Sequence, residues 1–196
     1  MKNAAANNGL FNILMVGVGG QGIILASDIL TLAALYAGHD AKKSEIHGMS
    51  QRGGSVFSHI RFGPRVHSPT IPKGQADVLF SLEVMETLRW LEYAGPRTVV
   101  ISLRTMIKPV GVEEYPEGLE EALRAACPAV RFMDPGKLSG ELGDSRVLNV
   151  ALLGVLSTVV DLPEDCWRRA VEERVPEGFF ELNWKAFGVG RRHGRG

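Results

Sequence analysis

Asn12-Ile-Leu-Met-Val-Gly-Val-Gly-Gly-Gln-Gly-Ile23 decides how this chain is read. Residues 12–18 form a short apolar run without the alternation of a half-exposed strand, which describes a strand buried on both faces. Glycines follow at once, and then Ile24, Leu25, Ile29, Leu32, Ala33 and Leu35 recur at helical spacing from Gln21 to about Tyr36. Gly38 stands where a helix terminator belongs. Strand, glycine turn and helix are the opening of an α/β unit.

Downstream, residues 39–52 are polar and show almost no strand character, so they read as a loop. From Ser55 to Phe62, Val56, Ser58, Ile60 and Phe62 alternate with Phe57, His59 and Arg61, the signature of a strand. Gly63-Pro64 turns the chain, and residues 66–71 are expected to return as a partner strand. Residues 76–82 form another apolar run and lead into a helical pattern through Met85, Leu88, Trp90 and Leu91, stopped by Gly95-Pro96. Residues 98–103 repeat the buried strand, 117–127 read as a helix, and 129–133 as a short strand ending at Asp134-Pro135-Gly136. Helices alone follow, over 146–160, 164–174 and 179–187. Strands alternating with helices predict a three-layer, Rossmann-like α/β sandwich with a mostly parallel sheet and a helical C-terminal third. The expected organisation is a tail over 1–10, one domain over 11–188, and a loose Gly/Arg-rich tail over 189–196.

At 196 residues, the chain has room for one full domain with a sizeable core. Its 45% hydrophobic and 22% charged residues exclude disorder, collagen and disulfide scaffolds as descriptions of the whole. Twenty-two basic side chains balance 22 acidic ones, so a broad field for gripping nucleic acid or anionic lipid is not expected. No apolar core of signal-peptide length stands near the N-terminus, and the longest apolar stretch, 147–160, is too short to span a bilayer of ~30 Å. A cytoplasmic protein is expected. Cys127 and Cys166 are the only cysteines, too few to hold a four-cysteine cluster.

Gly17, Gly19, Gly20, Gln21 and Gly22 match a dinucleotide-binding turn in its required context, after a strand and at a helix start. Glycines there let a ligand approach the backbone, and the free N–H groups of the first helical turn favour an anion. The same glycines also serve to pack a helix closely against a strand, and the residues leave both readings open. Classical dinucleotide binding wants an acidic residue at the end of a second strand. Glu45 is the nearest candidate, without a strand-like frame before it.

The most unusual segment is Glu45-Ile-His-Gly-Met-Ser-Gln-Arg-Gly-Gly54. It sets Glu45, His47, Gly48, Met49, Ser50, Gln51, Arg52, Gly53 and Gly54 in a loop between the first helix and the alternating strand, and the loop as a unit reads as functional. Arg52 offers a planar fork for phosphate or carboxylate, against the plainer reading of an ion pair with Glu45. For His47 a proton-carrying role is weighed against a turn position, and the turn is favoured. His59 and His67 have no metal-ligand partner at helical spacing. Glu83 and Glu86 fit the start of a helix without catalytic duty. No self-sufficient active site emerges. An independent nicotinamide or flavin oxidoreductase and a non-catalytic nucleotide-fold interaction domain stand as alternatives to a subunit of a larger enzyme.

Residues 16–23, 44–56, 60–63, Ala76-Asp77 and Leu82-Glu83 through Glu86 to Arg89, with Asn149, Gly154 and residues 183–188, resemble one family. It is that of the beta subunits of indolepyruvate:ferredoxin oxidoreductase, equivalent to the gamma domain of the 2-oxoacid:ferredoxin oxidoreductases. The resemblance implies a subunit that is inactive alone, in an enzyme converting an arylpyruvate, CoA and oxidised ferredoxin to the aryl-acetyl-CoA, CO2 and reduced ferredoxin. It implies a large alpha subunit carrying thiamine diphosphate and [4Fe-4S] clusters, with no cofactor, metal or nucleic acid on this chain. Residues 45–54 would lie near the partner's active site, with Arg52 suited to a CoA phosphate, and Gly17, Gly19, Gly20, Gln21 and Gly22 would hold either a CoA phosphate or a structural contact.

Overall fold

The computed structural model describes residues 9–47, 54–108, 111 and 114–195, and for His47 the backbone only. Six strands form one sheet in the order β2-β3-β1-β4-β5-β6. They are β1 (Phe11–Val18), β2 (Asp40–His47), β3 (Ser55–Gly63), β4 (Ala76–Ser81), β5 (Ala94–Leu103) and β6 (Ala129–Met133). β1, β4, β5 and β6 pair in parallel, and β3 runs antiparallel to both β1 and β2. The sheet is therefore mostly parallel with one reversed strand, the class expected from the sequence. β1 and β4 are buried along their whole lengths, which is why their sequences are apolar without alternation.

Ile13 and Met15 point to the larger core, made with α1 (Ile23–Tyr36), α5 (Leu148–Leu156), α6 (Glu164–Arg174) and α7 (Phe180–Arg195). Leu14 and Val16 point the other way, to a smaller cluster with Ile71, Leu79, Val100, Trp90 and Tyr93. That second face carries α2 (Val84–Arg89), a 3-10 turn over Leu91–Tyr93 and α3 (Leu119–Ala126). The last helix to place is α4 (Pro135–Leu142), which begins after the Asp134 cap, where the side chain accepts from Lys137 N.

Four expectations are corrected. Residues 40–47 form a strand, not a loop. It is an edge strand paired only with β3, and its lysines are matched with carboxylates: Lys43 pairs with Asp28 on α1 and with Glu45. Charge on an edge strand guards against unwanted pairing and masks the strand in a hydropathy reading. Residues 66–71 are not a returning strand. Pro64, Pro69 and Pro72 break any ladder there, and the segment is held by side chains instead, Val66 N donating to Asp40 and Ile71 N to His59. Asp134-Pro135 opens a helix instead of ending in a turn, with proline at its first position.

Lastly, α7 continues to Arg195 through most of the stretch expected as a loose tail. Its small residues explain this. A Cβ on Gly190 would collide with the Ala151 carbonyl, and one on Gly154 with the Phe187 carbonyl, so α5 and α7 cross backbone to backbone. Arg191–Glu164 and Arg192–Glu141 ion pairs fasten the end. The aromatics considered for a subunit interface divide: Trp167 is core against Phe187, Phe180 and Trp184 are partly buried, and Phe179 is exposed.

Candidate functional site

The chain leaves β1 through α1 on one face of the sheet and leaves β4 through α2 on the other. β1 and β4 are neighbours, so the connections diverge at their carboxyl ends, and ligands of open α/β sheets bind at such switch points. A cleft of about 290 Å³ lies there, and its lining includes Gly20, Gln21, Leu82, Thr105, Arg146 and Asn149.

Geometry divides the glycine turn into two functions. Gly17 is covered by its own turn, because a Cβ there would lie 2.9 Å from Ile23 Cγ1 and 3.0 Å from Gln21 Oε1. Gly22 (φ 82°) lies under Asn149, whose Nδ2 donates to the Gly22 carbonyl at 3.2 Å. Gly20 (φ 98°) has open space where its side chain would be and faces the cleft. Gln21 is a clasp: Val18 N donates to its Oε1 at 2.7 Å, and its Nε2 donates to the Leu82 carbonyl at 2.7 Å. It ties the end of β1 to the end of β4. Gly19 N donates to the Gly54 carbonyl at 2.8 Å, which joins the turn to the start of β3.

Glu45 and His47 end β2, opposite Ser58 and Val56 in the register, and Val56 also pairs with Gly17. Gly54 and residues 45–47 therefore stand at the same end of the sheet as the glycine turn. Gly48, Met49, Ser50, Gln51, Arg52 and Gly53 lie outside the described residues.

Four further residues stand outside the glycine turn and the 45–54 segment. Arg146 extends into the cleft rim with its guanidinium on Asp144 at 2.7 Å, and that pair holds the Asp144 carboxyl below the usual range. It lies in a 3-10 turn over Ser145–Val147, and no motif spacing marks it. Glu83, read as a helix-start carboxylate, is that and more: it is 1% exposed and caps α2 by accepting from Glu86 N at 2.7 Å. Tyr115 donates its hydroxyl to the same Glu83 carboxylate, and the phenol is pushed up, by burial first and then by that bond. Glu86, 5% exposed, accepts from the Ser55 hydroxyl at the start of β3.

Among the described residues no group of three or more His, Cys, Asp or Glu is arranged to hold a metal. Cys127 is buried, which raises its thiol pKa, and Cys166 lies on α6, within the helical layer of the opposite face. Gly143 closes α4 in the left-handed conformation and Asp144 is engaged by Arg146. No helix is long and apolar enough to cross a membrane among the described residues.

The comparisons agree with this architecture. The chain is 37% identical over 190 residues to the indolepyruvate oxidoreductase subunit IorB of Thermococcus kodakarensis, covering 92% of this chain and 94% of that one. It superposes with a TM-score of 0.70 on the gamma subunit of a keto/oxoacid ferredoxin oxidoreductase from Geobacter sulfurreducens, at 26% identity, covering 94% and 98% of the two chains. A 2-oxoglutarate:ferredoxin oxidoreductase from Magnetococcus marinus, solved with 2-oxoglutarate, coenzyme A and succinyl-CoA bound, shares the fold at TM-score 0.74 and 18% identity. There the match covers 95% of this chain and 31% of the other. Since the family model for pyruvate ferredoxin/flavodoxin oxidoreductase matches residues 12–193, from the first core strand into the last helix, the chain belongs to that family.

Proposed function

We propose that this chain is the small subunit of an indolepyruvate:ferredoxin oxidoreductase. The reaction joins the acyl group of an arylpyruvate to the CoA thiol, releases its carboxylate as CO2, and delivers two electrons to ferredoxin with loss of a proton. The observation that carries the reading is collinearity at 37% identity with an indolepyruvate oxidoreductase subunit along nearly the full length of both chains. Thiamine diphosphate supplies the decarboxylation and iron–sulfur clusters the electron path, both on a larger partner subunit. Two cysteines in 196 residues cannot ligate a [4Fe-4S] cluster. A cytoplasmic location is part of the same reading.

This chain's own residues then bind and exclude. The switch-point cleft suits a phosphate of CoA: Gly20 leaves the backbone open, the first turn of α1 offers the positive end of its dipole, and Arg146 supplies a cation at the rim. Gly17 and Gly22 contribute by packing. Residues 45–54, with Arg52 as a second phosphate fork, approach the partner's active site and shield it from water.

The test is to co-express the chain with its large subunit and follow CoA-dependent reduction of a viologen dye. A kcat/KM for indolepyruvate at least about tenfold above those for pyruvate and 2-oxoglutarate is expected. Equal use of the three acids, or turnover without CoA, contradicts the assignment.

A further inference from the structure

The Glu83 carboxylate does more than cap its short helix. A cap needs one oxygen, and Oε2 provides it to Glu86 N. Oε1 accepts from Ile107 N at 3.2 Å and from the Tyr115 hydroxyl. Tyr115 in turn accepts from Met85 N at 3.0 Å, and Val84 N donates to the Thr105 carbonyl at 3.1 Å. The backbone on either side of Glu83 is fixed as well. Leu82 N donates to the Val16 carbonyl at 3.1 Å, the Leu82 carbonyl takes the Gln21 amide, and Ser81 Oγ donates to the Glu83 carbonyl at 2.7 Å.

Two walls of the switch-point cleft are therefore tied together through the Leu82-Glu83 segment. Gln21 and Leu82 form one, and Thr105 stands on the other, two residues before the Ile107 amide that Glu83 holds. We propose that Glu83 is a positioning residue: its buried carboxylate sets the separation of these walls and thereby the fit of the phosphate-bearing cosubstrate. This rests on the cleft being the CoA site. A carboxylate accepts on both oxygens, whereas glutamine turns an NH2 toward an N–H or hydroxyl donor and breaks one side of the anchor. The phenol of Tyr115, raised by burial and by Glu83, stays a donor throughout the neutral range.

The experiment uses the co-expressed complex with Glu83→Gln and Tyr115→Phe. Tyr115→Phe removes the bond to the carboxylate and the one from Met85 N but leaves the Glu86 N cap in place, so it carries the decision if Glu83→Gln folds poorly. For Glu83→Gln, KM for CoA should rise about tenfold while kcat per folded complex stays within about twofold. Tyr115→Phe should move KM the same way by about threefold. A merely structural role lowers folded yield and leaves the KM for CoA where it was. That result in both variants overturns the proposal. Hydrogen exchange at the amides of residues 105–107 decides the anchor without turnover. Both variants should speed exchange there by about tenfold or more, and wild-type protection in both overturns it. A wild-type complex that turns over without CoA overturns the functional assignment instead, and the exchange result still judges the anchor.

Discussion

Gly20 and Gly22 stand two residues apart with the same left-handed backbone and opposite surroundings. Both resist a side chain through φ, at a cost of about 1 kcal/mol or more. Only Gly22 adds a collision, with Asn149, whose amide secures the first turn of α1. Gly22→Ala should therefore lower stability by about 2 kcal/mol or more in denaturant melts, against about 1 for Gly20→Ala. The second substitution should act on CoA binding in the complex, raising KM. Equal losses of stability for the two would deny Asn149 its packing role. His59 is a residue-scale case of a different kind. Its ring is buried, its Nδ1 accepts from Ile71 N at 3.2 Å, and burial holds its pKa below the ordinary 6.5. The unfolded ring protonates near that ordinary value and the folded ring only at lower pH. The stability contributed by neutral His59 is thus complete above pH ~6.5 and is lost as pH falls through that value toward the depressed one. His59→Leu should lose about 1 kcal/mol at pH 7.5 by orphaning the Ile71 amide, and should flatten the decline in Tm between pH 7.5 and 5.5. An unaltered decline would place the pH dependence in other groups.

At the scale of elements, the α5–α7 crossing makes the sharpest claim. Gly190 has no room for a Cβ beside the Ala151 carbonyl, whereas Gly188, two residues earlier and so on the other side of α7, has nothing within 4 Å. Gly190→Ala should cost ~3 kcal/mol and lower Tm by roughly 6–12 °C. Gly188→Ala should be neutral or stabilising by up to ~1 kcal/mol through helix propensity. Similar melts for both would refute the close crossing. This crossing also shows where sequence reading ends. Gly188, Gly190 and Gly194 with three neighbouring arginines look like a loose tail to any local rule, and only the facing Ala151 and Gly154, some 40 residues away, turn them into an interface. The same limit hid β2, whose eight residues are stabilised by pairing with β3 and by an ion pair to α1. β1 and β4 were legible because burial on both faces leaves a local mark, an unbroken apolar run. The glycine turn was legible as a motif. Its division into packing and open positions was not, since Asn149 and Leu82 reach it from 127 and 61 residues away.

At the scale of the whole molecule, the elements of the candidate site gather at one end of the sheet. The glycine turn, the end of β2 with the start of β3, the Leu82-Glu83 segment and the Arg146 turn converge on the carboxyl ends of β1, β4 and β5, while the opposite end carries the Phe11–Phe62 stack and the hydrogen bonds of Asn12 with Asp77 and Arg61. Such a surface contributes half a site. Arg52→Ala in the assembled enzyme should raise KM for CoA or lower kcat several-fold, about 1 kcal/mol of lost phosphate contact, and wild-type values for both would remove residues 45–54 from the cofactor's neighbourhood. The central claim is that redox chemistry requires a second polypeptide. It is tested most directly by purifying this chain and the large subunit separately and assaying indolepyruvate- and CoA-dependent viologen reduction before and after mixing. Activity only on mixing is the predicted result; dye reduction by this chain alone would contradict the account.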